Sequence, residues 1–193
     1  MISAVVLAAG EGRRFGATKQ IERLRGKPLV QHAVDAAAAA GVQEIVVVVG
    51  HDAERVRDVV ELPVGARIAV NDRYAEGQST SLAEGLHALD ASSDAALVLL
   101  ADQPGIEPRH VRALITAFDE AAREPEILRI GFRDGPGPAL LARSVWEEAT
   151  SLTGDTGARA LFDLDPERVR WVDLDEDAPP DVDRPEDLER GQG

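Results

Sequence analysis

The chain alternates between short, almost unbroken apolar runs and longer stretches in which apolar positions recur every three or four residues. The runs Ala4–Ala8 (AVVLA), Glu44–Val49 (EIVVVV), Arg67–Val70 (RIAV) and Ala96–Ala101 (ALVLLA) are rich in β-branched residues. Such runs predict strands of a parallel sheet covered on both faces. Between them, Pro28–Ala40, Asp52–Val60, Ser79–Leu89 and Pro108–Arg123 carry helical spacing, with Val111, Leu114, Ile115 and Phe118 on one stripe. Pro28 near the first turn and Gly41 past the last bracket one helix, and Asp52 is expected to cap the next. Strand–helix alternation of this kind predicts right-handed βαβ units in an α/β fold. The expected architecture is a three-layer αβα sandwich around a mostly parallel, Rossmann-like sheet.

The second half is less regular. Leu128–Phe132, Leu140–Ala142 and Val169–Leu174 predict strands; Arg143–Leu152, Gly157–Leu164 and Pro185–Arg190 predict helices. Asp134–Pro138 (DGPGP) reads as a turn or loop from its Gly and Pro content, and Pro179–Pro185 as extended chain. Neither an internal repeat nor a long linker interrupts the pattern, so a single domain over residues 1–193 is expected.

Composition narrows the chemistry. The sequence has no Cys, which excludes disulfides, thiol catalysis and Cys-ligated metals. No apolar run approaches the ~18 residues that cross a bilayer. The N-terminal stretch lacks the basic region of a secretory signal, and a cytoplasmic location is expected. The net charge is −14, from 35 acids and 21 bases, which disfavours a polyanionic partner such as nucleic acid. The charge is also polarised. Residues 11–27 hold six bases (Arg13, Arg14, Lys19, Arg23, Arg25, Lys27) and two acids, whereas residues 173–190 hold nine acids and two bases. The two stretches are either plain surface or converge on an anion and its metal.

Five segments can carry chemistry. Leu7–Lys19 (LAAGEGRRFGATK) places Gly10, Gly12 and Gly16 after a strand, where backbone N–H groups can cradle phosphate and Arg13, Arg14 and Lys19 can add charge. The third glycine comes one residue late for a dinucleotide fingerprint, and the loop lacks the ending of a Walker A motif. Asp102, in ADQP directly after a buried strand, sits where an α/β sheet binds ligands and can hold Mg²⁺, or merely caps a turn. Asp183, in DVDRPED, can supply a second metal carboxylate or cap the last helix. Asn71–Leu82 (NDRYAEGQSTSL) brings Ser79, Thr80 and Ser81 to the start of a helix, where hydroxyls can read a base, a phosphate or only the helix end. In Leu152–Arg159 (LTGDTGAR), Gly154, Asp155 and Arg159 can face a substrate, with Arg159 on an anionic group. His32, His87 and His110 fall in helical patterns, and His51 follows a strand near the ligand edge.

Taken in order, LAAGEGRRFGATK, GKPLVQHAVDAA, VVVVGHDAERVR, NDRYAEGQSTSLAEGL, ADQPGI, LTGDTGAR and VDRPEDL resemble nucleotidyltransferases of the molybdenum cofactor cytidylyltransferase type, over nearly the whole chain. The resemblance implies that Leu7, Ala8, Ala9, Gly10, Gly12 and Gly16 wrap the base and phosphates of CTP. It implies that Lys19 and Arg13 offset phosphate charge, that Ser81 contacts the base, and that Asp102 and Asp183 hold Mg²⁺. Gly154, Asp155 and Arg159 would lie on the acceptor side. Guanylyl-transferring relatives usually read LAGG and end the loop with Asp-Lys; Ala9 and Thr18 depart from both and point to CTP. Two further departures are Gly135–Pro138, where the family usually has His or Asn before Pro, and Arg184 in place of Thr.

The implied reaction joins CMP from CTP to the terminal phosphate of a molybdopterin-type cofactor and releases pyrophosphate. Its partners would be CTP and a phosphorylated pterin. A transient contact with a molybdoenzyme or its chaperone is expected, as is a monomer or weak dimer. Alternatives are guanylyl or other nucleotidyl transfer to a different phosphate acceptor, a nicotine blue type of NAD(P)H oxidoreductase on the same scaffold, and a catalytically silent nucleotide-binding module.

Overall fold

A computed structural model describes residues 1–12 and 15–190. The strands are β1 (Ile2–Ala8), β2 (Arg23–Leu24), β3 (Lys27–Pro28), β4 (Glu44–Val49), β5 (Ala66–Val70), β6 (Ala95–Leu100), β7 (Ile127–Phe132), β8 (Gly135–Ala142) and β9 (Val169–Asp173). The helices are α1 (Leu29–Ala39), α2 (Ala53–Val59), α3 (Gln78–Ala88), α4 (Pro108–Glu120), α5 (Trp146–Thr150), α6 (Arg159–Leu164) and α7 (Pro185–Arg190). Seven strands form one sheet in the order β5-β4-β1-β6-β8-β7-β9; β2 and β3 make a separate small hairpin. All seven run parallel except β8, which is antiparallel to both neighbours.

The continuous apolar runs are explained by burial on both sides. Along β1, Ala4, Val6 and Ala8 face one layer while Val5 and Leu7 face the other. The first layer packs Val30 and Val34 of α1, Val56 of α2, and Val111, Leu114 and Phe118 of α4. The second packs Leu82 and Leu86 of α3, Trp146 of α5, and Leu161 and Phe162 of α6. The expected three-layer αβα sandwich with a mostly parallel sheet is the observed architecture.

The chain winds from β1 outward to β4 and β5, then returns to place β6 on β1's other side. This reversal leaves a crevice beyond the carboxyl ends of β1 and β6, the usual ligand position in such sheets. The opposite end is tied by a buried polar cluster. Glu44 accepts from Ser3 Oγ (2.5 Å), Ser93 Oγ (2.9 Å), Arg67 (2.7 Å) and the Asp90 N–H (2.9 Å). Burial alone would push the Glu44 carboxyl up; the hydrogen bonds from Ser3, Arg67, Asp90 and Ser93 together outweigh it and hold the pKa below its ordinary value.

Two local expectations are corrected. Of the DGPGP segment only Asp134 lies in a turn; Gly135–Pro138 are the first residues of β8. Pairing there is one-sided: β8 meets β6 only over Ala139–Ala142, while Gly135 and Pro136 pair with β7 alone across a register shift. Proline is tolerated where one flank of a strand has no ladder. Asp52 sits before α2 but does not cap it. Its backbone is left-handed (φ 51°), and its carboxylate instead accepts from Thr18 and Arg55.

Candidate active site

The crevice is a cleft of about 490 Å³. Its floor is the turn leaving β1, its flank the turn leaving β6, and its far wall the start of α3. Of the residues expected to bind nucleotide, Leu7, Ala9, Gly10, Gly12, Lys19, Ser81 and Asp102 line it, as do Asp155 and Asp183. Ala8, Gly16, Gly154 and Arg159 do not. Ala8 points into the core, and Gly16 is exposed on the outside of the loop. Gly154 packs against the backbone of Gly77. Arg159 is exposed and pairs with Asp163 at 3.5 Å, one turn along α6. Arg13, expected to offset phosphate charge, and Arg14 lie outside the described residues.

The glycine loop is held from within. The Phe15 and Gly16 N–H groups donate to the Gly12 carbonyl at 2.8 and 2.9 Å. Gly12 takes φ 61°, and a Cβ there would collide with the Ala17 carbonyl. Gln20 Nε2 donates to the Gly10 carbonyl at 2.7 Å, while its Oε1 is buried without a partner among the described residues. Thr18 is buried and donates to Asp52, which fixes the end of the loop to the start of α2.

Lys19 emerges from this anchor into the cleft. Its Nζ donates to Asp102 at 2.9 Å and to Asp183 at 3.4 Å. Two carboxylates distant in sequence, one from mid-chain and one from near the C-terminus, thus share one ammonium. The pairing is set by Val182, whose N–H donates to the Asp102 carbonyl at 2.8 Å. Its side chain is buried in a small cluster with Leu24 and Leu29. The Asp187 carboxylate in the first turn of α7 accepts from the Asp183 and Arg184 N–H groups at 3.0 and 2.9 Å, which folds the chain just ahead of the helix. Behind the pair, Gln103 donates to Asp181 at 3.0 Å. The Asp181 carboxyl is pushed up by desolvation first and then by repulsion from Asp102 and Asp183.

The far wall begins at Asn71, just past β5. Its Nδ2 donates to Thr80 Oγ1 and Ser81 Oγ, both at 2.9 Å. Ser81 is therefore oriented toward the cleft by a residue from the neighbouring strand end. Ser79 is fully buried, and its Oγ has no partner among the described residues. Thr80 donates back to the Gly77 carbonyl at 2.8 Å. Gln20, Tyr74 and Gln78 also line the cleft, although the sequence reading gave them no role. Gln78 and Tyr74 lie inside NDRYAEGQSTSL, and Tyr74 is the single tyrosine of the chain. His51 lies behind the glycine loop: its N–H donates to the Ala9 carbonyl at 3.2 Å and its ring meets Tyr74 edge-on at 5.9 Å. His110 is a buried helix-end residue on Glu107 and Glu176.

Chemically, the lining is acidic. Among the described residues it holds the carboxylates of Glu11, Glu76, Asp102, Asp155 and Asp183 against the one ammonium of Lys19. No three His, Asp or Glu among the described residues are grouped to form a metal site. Asp102 and Asp183 are a pair of hard oxygen donors turned toward one cation position, which Lys19 Nζ now takes. Such a pair suits a divalent ion that completes its shell with phosphates and waters.

A doubly wound sheet with its cleft at the strand reversal is the architecture of α/β nucleotide-binding proteins. The chain belongs to the MobA-like NTP transferase domain family, which matches it over residues 4–170. It is similar to the nicotine blue oxidoreductase of Paenarthrobacter nicotinovorans, 31% identical over 204 residues, covering 98% of this chain and 95% of that protein. It is also 35% identical over 131 residues to the bifunctional protein GlmU of Sorangium cellulosum, covering 64% of this chain and 28% of GlmU. The chain thus spans less than a third of that relative. Among solved structures, a Mycobacterium sp. strain JC1 homologue of Rv0371c matches with TM-score 0.85 and 31% identity, over 98% of this chain and 93% of that one. The manganese complex of Rv0371c from Mycobacterium tuberculosis matches with TM-score 0.81 and 26% identity, over 99% and 97%. No described helix is long and apolar enough to cross a membrane.

Proposed function

We propose that this protein transfers CMP from CTP to the terminal phosphate of a molybdopterin-type cofactor, with Mg²⁺ as the metal. The observation that carries the proposal is the meeting of Asp102, Lys19 and Asp183 at one point beside the glycine loop. A phosphate oxygen of the acceptor attacks the α-phosphorus; the bond from that phosphorus to the bridging oxygen breaks, and pyrophosphate leaves. The nucleophile is already ionised near neutral pH, so no general base is required. The described residues of the cleft act by positioning and charge. Asp102 and Asp183 would hold Mg²⁺, which supplies Lewis-acid neutralisation of phosphate charge when bound. Lys19, released from the two carboxylates, would lie against the phosphates. Ser81, held by Asn71, would face the base.

Two features support CTP over GTP. Ala9 replaces a glycine of the guanylyl pattern, and Thr18 replaces its aspartate. Thr18 donates to Asp52, and an aspartate there would set two carboxylates against each other. The near full-length overlap with nicotine blue oxidoreductase favours a second reading, NAD(P)H oxidation in the same cleft. A thermal-shift panel of CTP, GTP, ATP, UTP and NADPH, with and without Mg²⁺, separates the two, since a ligand that binds only the folded state raises Tm. Stabilisation by CTP with Mg²⁺, followed by pyrophosphate release with a phosphorylated pterin, is expected. Stabilisation by NADPH but by no nucleoside triphosphate refutes the transferase reading, and CTP binding without turnover would mark a silent module.

A further inference from the structure

Asp102 and Asp183 are fixed where they meet. The chain that carries Asp183 back from β9 is tied down at three places. The Leu174 N–H donates to the Gly131 carbonyl at 2.8 Å, Pro179 packs so closely on Gly105 that a Cβ there would strike it, and the Val182 N–H donates to the Asp102 carbonyl. Neither carboxylate can retreat far from the other, and like charges held together in this way need a cation between them. Lys19 supplies it, with Nζ 2.9 Å from Asp102 Oδ2 and 3.4 Å from Asp183 Oδ1.

Lys19 is held almost as firmly. Thr18 before it is buried and tied to Asp52, and the Glu22 N–H closes a turn on the Lys19 carbonyl at 3.0 Å. Gly12 packs against the Lys19 backbone and Cβ, and the side chain is 12% exposed. What can still turn is its outer end. Among the described residues, the other charged side chains lining the cleft are Glu11, Glu76 and Asp155, and Lys19 is the one base. Glu76 is already engaged by three hydrogen bonds from Arg73 at 2.7–3.2 Å. A polyphosphate entering beside the glycine loop would be a stronger partner for the ammonium, because it brings several negative oxygens at once. An ammonium and a divalent ion on the same two carboxylates, by contrast, repel each other at contact distance.

We infer that Lys19 is a resident counter-ion that keeps divalent ions off Asp102 and Asp183 until a polyphosphate enters the cleft and takes the ammonium away. The resting protein then has little affinity for a free divalent ion. Metal and triphosphate raise each other's affinity, by the same factor, because each gains from the one displacement of Lys19. No covalent bond changes: the ammonium exchanges carboxylate oxygens for phosphate oxygens, and the carboxylates exchange a single positive charge for a double one. The competition between ammonium and metal stands on the three side chains alone; polyphosphate as the releasing ligand rests on the transferase reading.

The test measures binding of Mn²⁺ alone to the full chain by electron paramagnetic resonance, with no nucleotide present and so no turnover. Hard oxygen donors accept Mn²⁺ as they accept Mg²⁺. Lys19→Met keeps the apolar stem and removes the charge, and it should bind Mn²⁺ about tenfold or more tightly than the parent. Adding Asp102→Asn to Lys19→Met should abolish the gain, which assigns it to this pair and not to the acidic surface elsewhere. Circular dichroism reports folding, and Lys19→Gln serves if Lys19→Met does not fold. Calorimetry of CTP with and without Mg²⁺ gives the coupling, expected at about tenfold or more in the parent and smaller in Lys19→Met. Equal Mn²⁺ affinity in parent and variant, a gain that survives Asp102→Asn, or an equal coupling overturns the inference; if CTP with Mg²⁺ still stabilises the parent, the transferase reading stands without it. The Mn²⁺ gain in a protein that no nucleoside triphosphate stabilises does the reverse: the competition stands and the transferase reading fails.

Discussion

Substituting Gly77 by alanine tests how the far wall of the cleft is built. Gly77 precedes α3 with φ 123° and ψ 167°, a region that residues with a side chain seldom enter. A Cβ there would strike the carbonyl carbon and oxygen of Gly154, which are backbone atoms with little freedom to yield. Backbone strain of this kind costs roughly 1–3 kcal/mol. Overpacking against a fixed neighbour adds about 1–3 kcal/mol. Near the middle of those ranges the loss is about 4 kcal/mol, or a fall in Tm of about 8–16 °C for a chain of this length. The protein can escape part of this by letting the segment around Gly154 move outward. The Ser79 N–H bond to the Gly154 carbonyl, 3.1 Å, then breaks, and Asp155 withdraws from the cleft. A misplacement of about 1 Å at a binding site can cost on the order of 100-fold. Thermal unfolding and a titration with CTP and Mg²⁺ should therefore show a loss in at least one measurement. Gly41→Ala is the control: φ is 92° but no atom lies near the added Cβ, so only the strain of about 1–3 kcal/mol remains. A Gly77→Ala protein that melts within about 2 °C of the parent and binds nucleotide equally would refute the reasoning.

Three further outcomes are expected. Asp102→Asn keeps the shape of the Lys19 contact but removes a metal carboxylate, so Mg²⁺-dependent pyrophosphate release should fall by about 100-fold or more with Tm little changed; a loss under about threefold would count against the metal role. Val182→Ala removes the apolar anchor that brings Asp183 to Asp102, and it should raise the Mg²⁺ concentration needed for half-maximal activity while costing about 1–2 kcal/mol of stability, read by urea unfolding. Glu44→Gln should cost about 1–3 kcal/mol near neutral pH. Because the folded carboxyl lies below its ordinary value of 4.5, its stabilisation is complete above that value and is lost as the pH falls through the folded pKa. The parent and variant stability curves should thus converge in acid, and a constant gap down to low pH would exclude Glu44 as the source.

The parts of the fold that the sequence revealed were those whose reasons are local. β1, β4 and β6 are buried on both faces, so their apolar runs are continuous and unmistakable. Gly135–Pro138 misled because glycine and proline report only local preference, while one-sided pairing with β7 is a tertiary fact. The same division holds at the site. Lys19, Asp102 and Asp183 each had an ordinary local explanation, and what joins them is Val182 under Leu24 and Leu29, which no spacing rule marks. Arg159 looked available because its motif is polar, but α6 places Asp163 one turn away.

The buried carboxylate at the amino end of β4 and the reactive crevice at the carboxyl ends lie on opposite rims of the same sheet. A six-residue strand spans about 20 Å between them. Integrity and chemistry are therefore written in separate places. Wholesale remodelling of the loops around the crevice leaves the Ser3–Glu44–Arg67 fastening untouched, so this scaffold can drift toward new substrates without first being reinforced. An engineer wishing to retarget it has the same freedom.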